Sequence, residues 1–176
     1  MAEITVTESK EFVKLDSPAP LKNKIYKFRF IYVAVALLGA IWGAIGLGVE
    51  GMVAMCLVLL GITYSISYYL SIFYIRKISK TKYELPIPIN AGQLSGLIVA
   101  PLMQYNMTVE MVDNILIKFG GIEYFIILKD GYFNISPRES ILKQIFNKSY
   151  PRLYKKAVNA VPIIAFTIQD ICKKQA

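Results

Sequence analysis

The sequence predicts a membrane protein: a two-helix transmembrane hairpin followed by a small α+β soluble domain, with antiparallel strands covered by one or two helices. Three observations carry that fold class. Residues 30–49 and 51–75 are apolar runs without Asp, Glu, Lys or Arg, parted only by Glu50. Basic residues crowd the outer flanks of both runs and are absent from the turn between them. Further along, residues 107–136 alternate β-rich runs with turn dipeptides. The expected organisation is an N-terminal arm over 1–29, the hairpin over 30–75 (30–49 and 51–75), and a cytoplasmic α+β domain over 83–176.

The arm carries Lys10, Glu11, Lys14 and Asp16, then Ser17-Pro18-Ala19-Pro20. This polarity, with two prolines, reads as a loose arm, although the alternation around Ile4 and Val6 could add one strand to a partner. A cleavable signal would start its apolar core closer to Met1, so the hairpin is expected to be permanent.

A bilayer core about 30 Å thick needs roughly 20 helical residues, and each apolar run reaches that length. Ala36, Ala40, Ala44 and Gly48 recur every fourth residue, and Gly39 with Gly43 form a parallel ridge. Gly61 with Ser65, then Ser67 with Ser71, repeat the spacing in the second run. In lipid, helices associate by close packing, so such ridges serve either the hairpin itself or a second copy or foreign helix. Trp42 falls mid-span, where packing is its expected role, whereas Tyr68, Tyr69 and Tyr74 suit headgroup depth. Tyr64 and Ser65 lie deeper and suggest contact with protein. Ionisable residues are absent from both runs, which argues against a proton or ion pathway carried by this chain alone. Lys22, Lys24, Lys27 and Arg29 precede the first run; Arg76, Lys77, Lys80 and Lys82 follow the second. The positive-inside rule then puts both termini on the cytoplasmic side of an integral membrane protein.

After the hairpin, the prolines at 86 and 88 force residues 83–88 to be extended. Residues 94–105 form an apolar run too short to span, broken by Pro101. It reads as a helix on the membrane surface or on the soluble domain. Strands are expected over 107–112 and 115–119 around Asp113-Asn114, with a break at Gly120-Gly121. Strands over 122–128 and 132–136 follow, joined by Lys129-Asp130-Gly131, a hairpin signal. Residues 124–128 are apolar on both faces, suggesting a central, covered strand. Phe133 and Ile135 alternate with Asn134 and Ser136.

Ser136-Pro137-Arg138-Glu139 has the form of a capped helix start, leading into a stripe of Ile141, Leu142, Ile145 and Phe146 that would cover the sheet. A second helix is expected over 152–160, interrupted at Pro162, before a basic end at Lys173-Lys174. The 124–139 stretch resembles the ending of bacterial two-pass proteins with a pleckstrin-homology-like tail. That likeness covers about a tenth of the chain and implies no chemical activity.

Histidine is absent, which removes the commonest general base and metal ligand. The two cysteines, Cys56 and Cys172, fall in different compartments, and Glu84, Glu110, Asp113, Glu123, Asp130, Glu139 and Asp170 are scattered. Phosphate-loop, nucleophile-elbow and Cys-x-x-Cys motifs are missing, so neither an enzyme nor a cofactor is expected. The net charge of +8 suits loops facing anionic lipid. Arg138, Lys143, Lys148, Arg152, Lys155 and Lys156 form a basic helical region that reads either as a solvated face or as a headgroup-binding patch. Nucleic acid is disfavoured, because aromatic residues do not interleave with these charges. The expected function is a non-catalytic accessory or structural subunit of a membrane complex, whose partners are other membrane subunits or a second copy. The alternative is a surface module binding anionic lipid.

Overall fold

The computed structural model describes residues 12–21, 26–139 and 150–175. Their elements are α1 (Tyr26–Lys80), β1 (Lys82–Glu84), α2 (Ala91–Met103), β2 (Thr108–Met111), β3 (Ile115–Phe119), β4 (Ile122–Lys129), β5 (Tyr132–Glu139) and α3 (Tyr150–Gln175). The chain divides into two units, one made of Met1–Lys22 with Tyr74–Ala176, the other of Asn23–Phe73.

In the second unit α1 is broken at Gly48, whose φ of 69° and ψ of −158° lie outside any helix. Glycine has no Cβ to oppose that conformation. The chain folds back there, so that residues 36–43 lie against 51–59: Gly43 faces the backbone of Gly51 and Met52, and Gly39 faces Leu59. The Cys56 Sγ donates to the Ala36 carbonyl at 3.7 Å. Among the described residues one helix, Gly48–Lys80 with 33 residues, is long and apolar enough by composition to cross a membrane; the apolar stretch of the first half, Val33–Gly46, is shorter. The second half runs beyond residue 75, since no breaker intervenes. Ser79 and Thr81 turn their hydroxyls back onto the Ile75 and Lys77 carbonyls at 3.0 and 2.9 Å.

The other unit is built on an antiparallel sheet of order β1-β5-β4-β3-β2. Strands β2 to β5 form a meander. Gly120 and Gly121, with φ of 57° and 77°, make the mirror-image turn that matches strand twist. Asp130-Gly131 closes the β4–β5 hairpin as the sequence predicts, with Gly131 at φ 78°. One sheet face is the core. There Ile115, Ile117, Ile122, Tyr124, Ile126, Phe133 and Ile135 are buried, and α2 and α3 cover them.

Helix α2 starts at Asn90, whose side chain accepts from the Gln93 amide at 2.8 Å. Its Leu94, Ile98 and Leu102, one per turn, are fully buried, so the short apolar run belongs to the core of the sheet-containing unit. Helix α3 buries a stripe from Leu153 through Ala157, Val161, Ile164 and Ile168 to Cys172.

Four expectations change. Strand β4 is central but covered on one face only: Ile127 on the other face is 40% exposed. Residues 136–139 do not start a helix; β5 continues to Glu139, with Pro137 opposite Tyr124. Pairing along the full length of β4 outweighs the local capping signal. Pro137 is tolerated because β1 pairs with β5 only as far as Asn134, leaving a side of the strand where no N–H is required. Third, Pro162 does not interrupt α3. A proline inside a helix deprives the carbonyl four residues earlier of its donor, and here that carbonyl, Val158, accepts the Leu21 amide at 3.1 Å. Fourth, residues 12–21 are attached, as that bond shows. Ile4 and Val6, and the stripe 141–146, lie outside the described residues.

Candidate functional site

Three places merit description as sites: the inside of the hairpin, the docked arm, and the point where α1 meets α3. In the hairpin the Gly39–Gly43 ridge is the one used internally, and Ala36 contributes its carbonyl. Ala40 is half-buried and Ala44 exposed. Gly61 and Ser65 are exposed; a Cβ on Gly61 would meet nothing within 4 Å, and the Ser65 hydroxyl bonds back to the Gly61 carbonyl at 2.9 Å. The buried stripe of the second half is instead Thr63, Ser67 and Ser71. Ser67 and Ser71 are one of the two pairs that the sequence offers, and Thr63 could have been found by following the four-residue spacing from Ser67 backward. Thr63 and Ser71 hydroxyls satisfy themselves on carbonyls one turn earlier, at 2.8 and 2.7 Å.

The arm is held by Gln169, a residue with no sequence signal. This side chain, 1% exposed, accepts the Leu15 amide at 2.9 Å. Its own amide donates to the Val13 carbonyl at 2.9 Å and to that of Glu84 at 3.0 Å. Val13 bridges to Tyr83 in parallel, and Phe12 stacks on Tyr132 with ring centroids 5.3 Å apart. A buried amide that satisfies three backbone groups at once fixes a single path for the arm.

The basic residues are split between faces. Arg138 lies on the sheet face away from the core, with its guanidinium 5.8 Å from the Phe125 ring centre. Arg152 and Lys155 are exposed on α3. The Lys156 ammonium donates to the Gly120 carbonyl. Lys143 and Lys148 lie outside the described residues. Near the start of α3, Tyr154 meets Tyr74 of α1 with ring centroids 5.5 Å apart.

A cleft of about 560 Å³ opens between α2 and the β4–β5 turn, lined by Leu85, Ile89, Gln93, Asn114, Leu128 and Lys129 among others. The described residues contain no group of three His, Cys, Asp or Glu able to hold a metal. Burial pushes the hydroxyls of Tyr83 and Tyr124 well above the ordinary tyrosine value, and raises the Cys172 thiol. Burial thus disfavours the charged form of each, further from neutral pH than in an exposed residue.

Family models, curated proteins and solved structures contain no match to this chain.

Proposed function

We propose that this chain is a non-catalytic accessory subunit of a membrane complex, whose α1 hairpin crosses the bilayer twice and anchors the α+β unit on the cytoplasmic side. Covalent connectivity supports the double crossing: the segments leading into and out of Asn23–Phe73 both belong to the other unit. A chain whose two ends are tied to one soluble body crosses an even number of times. Large apolar side chains exposed from Ile31 to Phe73, Trp42 (76%) and Ile45 (79%) among them, suit a lipid environment.

The observation that carries the subunit reading is the open ridge at Gly61 and Ser65. The hairpin uses Gly39 and Gly43 for itself and leaves the second pair of small residues unfilled. Small residues four apart let a further helix approach closely in lipid. Extraction in mild detergent followed by affinity purification tests the proposal. A stoichiometric partner, lost from a Gly61→Leu chain, is the expected result; a clean monomer would end the reading.

A further inference from the structure

The contact between Tyr74 and Tyr154, with ring centroids 5.5 Å apart, joins the end of α1 to the start of α3, two basic segments far apart in the sequence. Arg76, Lys77 and Lys80 follow Tyr74 on the last turns of α1, whose inner side buries Ile75 and Ile78. Arg152 and Lys155 flank Tyr154 on α3. All five cations are exposed, and the ion pairs among the described residues, Lys118–Glu110 and Lys174–Asp170, involve none of them. Tyrosine prefers headgroup depth at a membrane surface, where its ring is apolar and its hydroxyl wet.

We propose that this junction is a docking surface for the phosphate headgroups of anionic phospholipids, held by Arg76, Lys77, Lys80, Arg152 and Lys155. The proposal rests on α1 spanning the bilayer. Cations from two elements, rather than one flank of a helix, then face the same leaflet. They hold α3 as well as α1 at the surface, so lipid charge regulates how firmly the soluble unit lies against the membrane. A partner binding nucleic acid is not favoured: the tyrosines face each other here instead of offering free ring faces for stacking.

The full chain is reconstituted in phosphatidylcholine bilayers holding trace spin-labelled phosphatidylglycerol or phosphatidylcholine, and the motionally restricted fraction of each label is compared. The expected result is a preference for phosphatidylglycerol of about five-fold, the worth of one fully engaged charge near an anionic surface. It shrinks toward equality near ~1 M salt. The set R76Q/K77Q/K80Q/R152Q/K155Q is expected to lose at least half of it, and the matching Lys–Arg exchanges to keep it. Equal restriction of both lipids by the native chain would overturn the proposal, as would full preference retained by the glutamine set. If the glutamine set does not fold, the salt titration of the native chain decides. A chain stripped from the bilayer by alkaline washing would instead overturn the membrane reading beneath it.

Discussion

A methyl group at position 43 would lie 2.7 Å from the Gly51 carbonyl oxygen and 2.8 Å from the Met52 Cα. Main chain cannot relieve such contacts by changing rotamer, so Gly43→Val should force the halves of α1 apart. The expected cost is about 1–3 kcal/mol of hairpin stability, read as a longer distance between spin labels at the exposed Leu37 and Leu57. Gly61→Leu should leave that distance unchanged. Tyr124 presents the opposite case. Its hydroxyl is buried and makes no hydrogen bond among the described residues, so Tyr124→Phe should be neutral or stabilise the soluble unit by about 1 kcal/mol. The same burial governs alkaline stability. Above about pH 10 an unfolded tyrosine loses its proton while the buried Tyr83 and Tyr124 still hold theirs, so the unfolded state binds fewer protons. Their contribution is fully present below that pH and is lost progressively above it, as pH rises toward the raised values of the folded state. Melting temperature measured from pH 8 to 11 should fall above about 10, and fall less in Tyr124→Phe.

Among the elements, the docked arm is the least local feature. Gln169→Leu removes three hydrogen bonds, stranding the buried Leu15 amide and taking a partner from the Glu84 carbonyl, while the Val13 carbonyl keeps the Glu84 amide. A loss of about 2–4 kcal/mol is expected, with fast amide exchange at Leu15 and proteolysis within residues 12–21 while the β4–β5 core stays protected. Slow exchange at Leu15 in that variant would show that the clamp is dispensable. This arm also explains which elements the sequence concealed. The Asp-Gly and Gly-Gly turns were legible because their chemistry is contained in two residues. Ser136 to Glu139 misled because a capping signature is local, whereas pairing with β4 is not. Pro162 could not be read as tolerated, since the amide that occupies its orphaned carbonyl comes from Leu21 at the other end of the chain. The hairpin ridge was half legible: spacing identified small residues, but not which of two ridges turns inward.

For the whole molecule, the account depends on α1 carrying the chain across the bilayer and back. Charge flanks and apolar runs suggest this architecture in the sequence, and among the described residues one helix, Gly48–Lys80, has the length and composition for a span. The proposed basic surface is less visible in the sequence, because only folding brings Tyr154 of α3 against Tyr74 of α1 and sends Arg138 to the sheet face away from the core. Cys172 is a natural topology probe, but it is buried and would report unfolding instead. Single cysteines are therefore introduced by Glu50→Cys at the hairpin tip and Lys174→Cys at the exposed end of α3, in a chain with Cys56 and Cys172 replaced by serine. Sealed vesicles of known orientation are then labelled with a membrane-impermeant maleimide. The two positions are predicted to react from opposite sides, residue 50 outside and residue 174 on the cytoplasmic face. Labelling of both from the same side would contradict the double crossing.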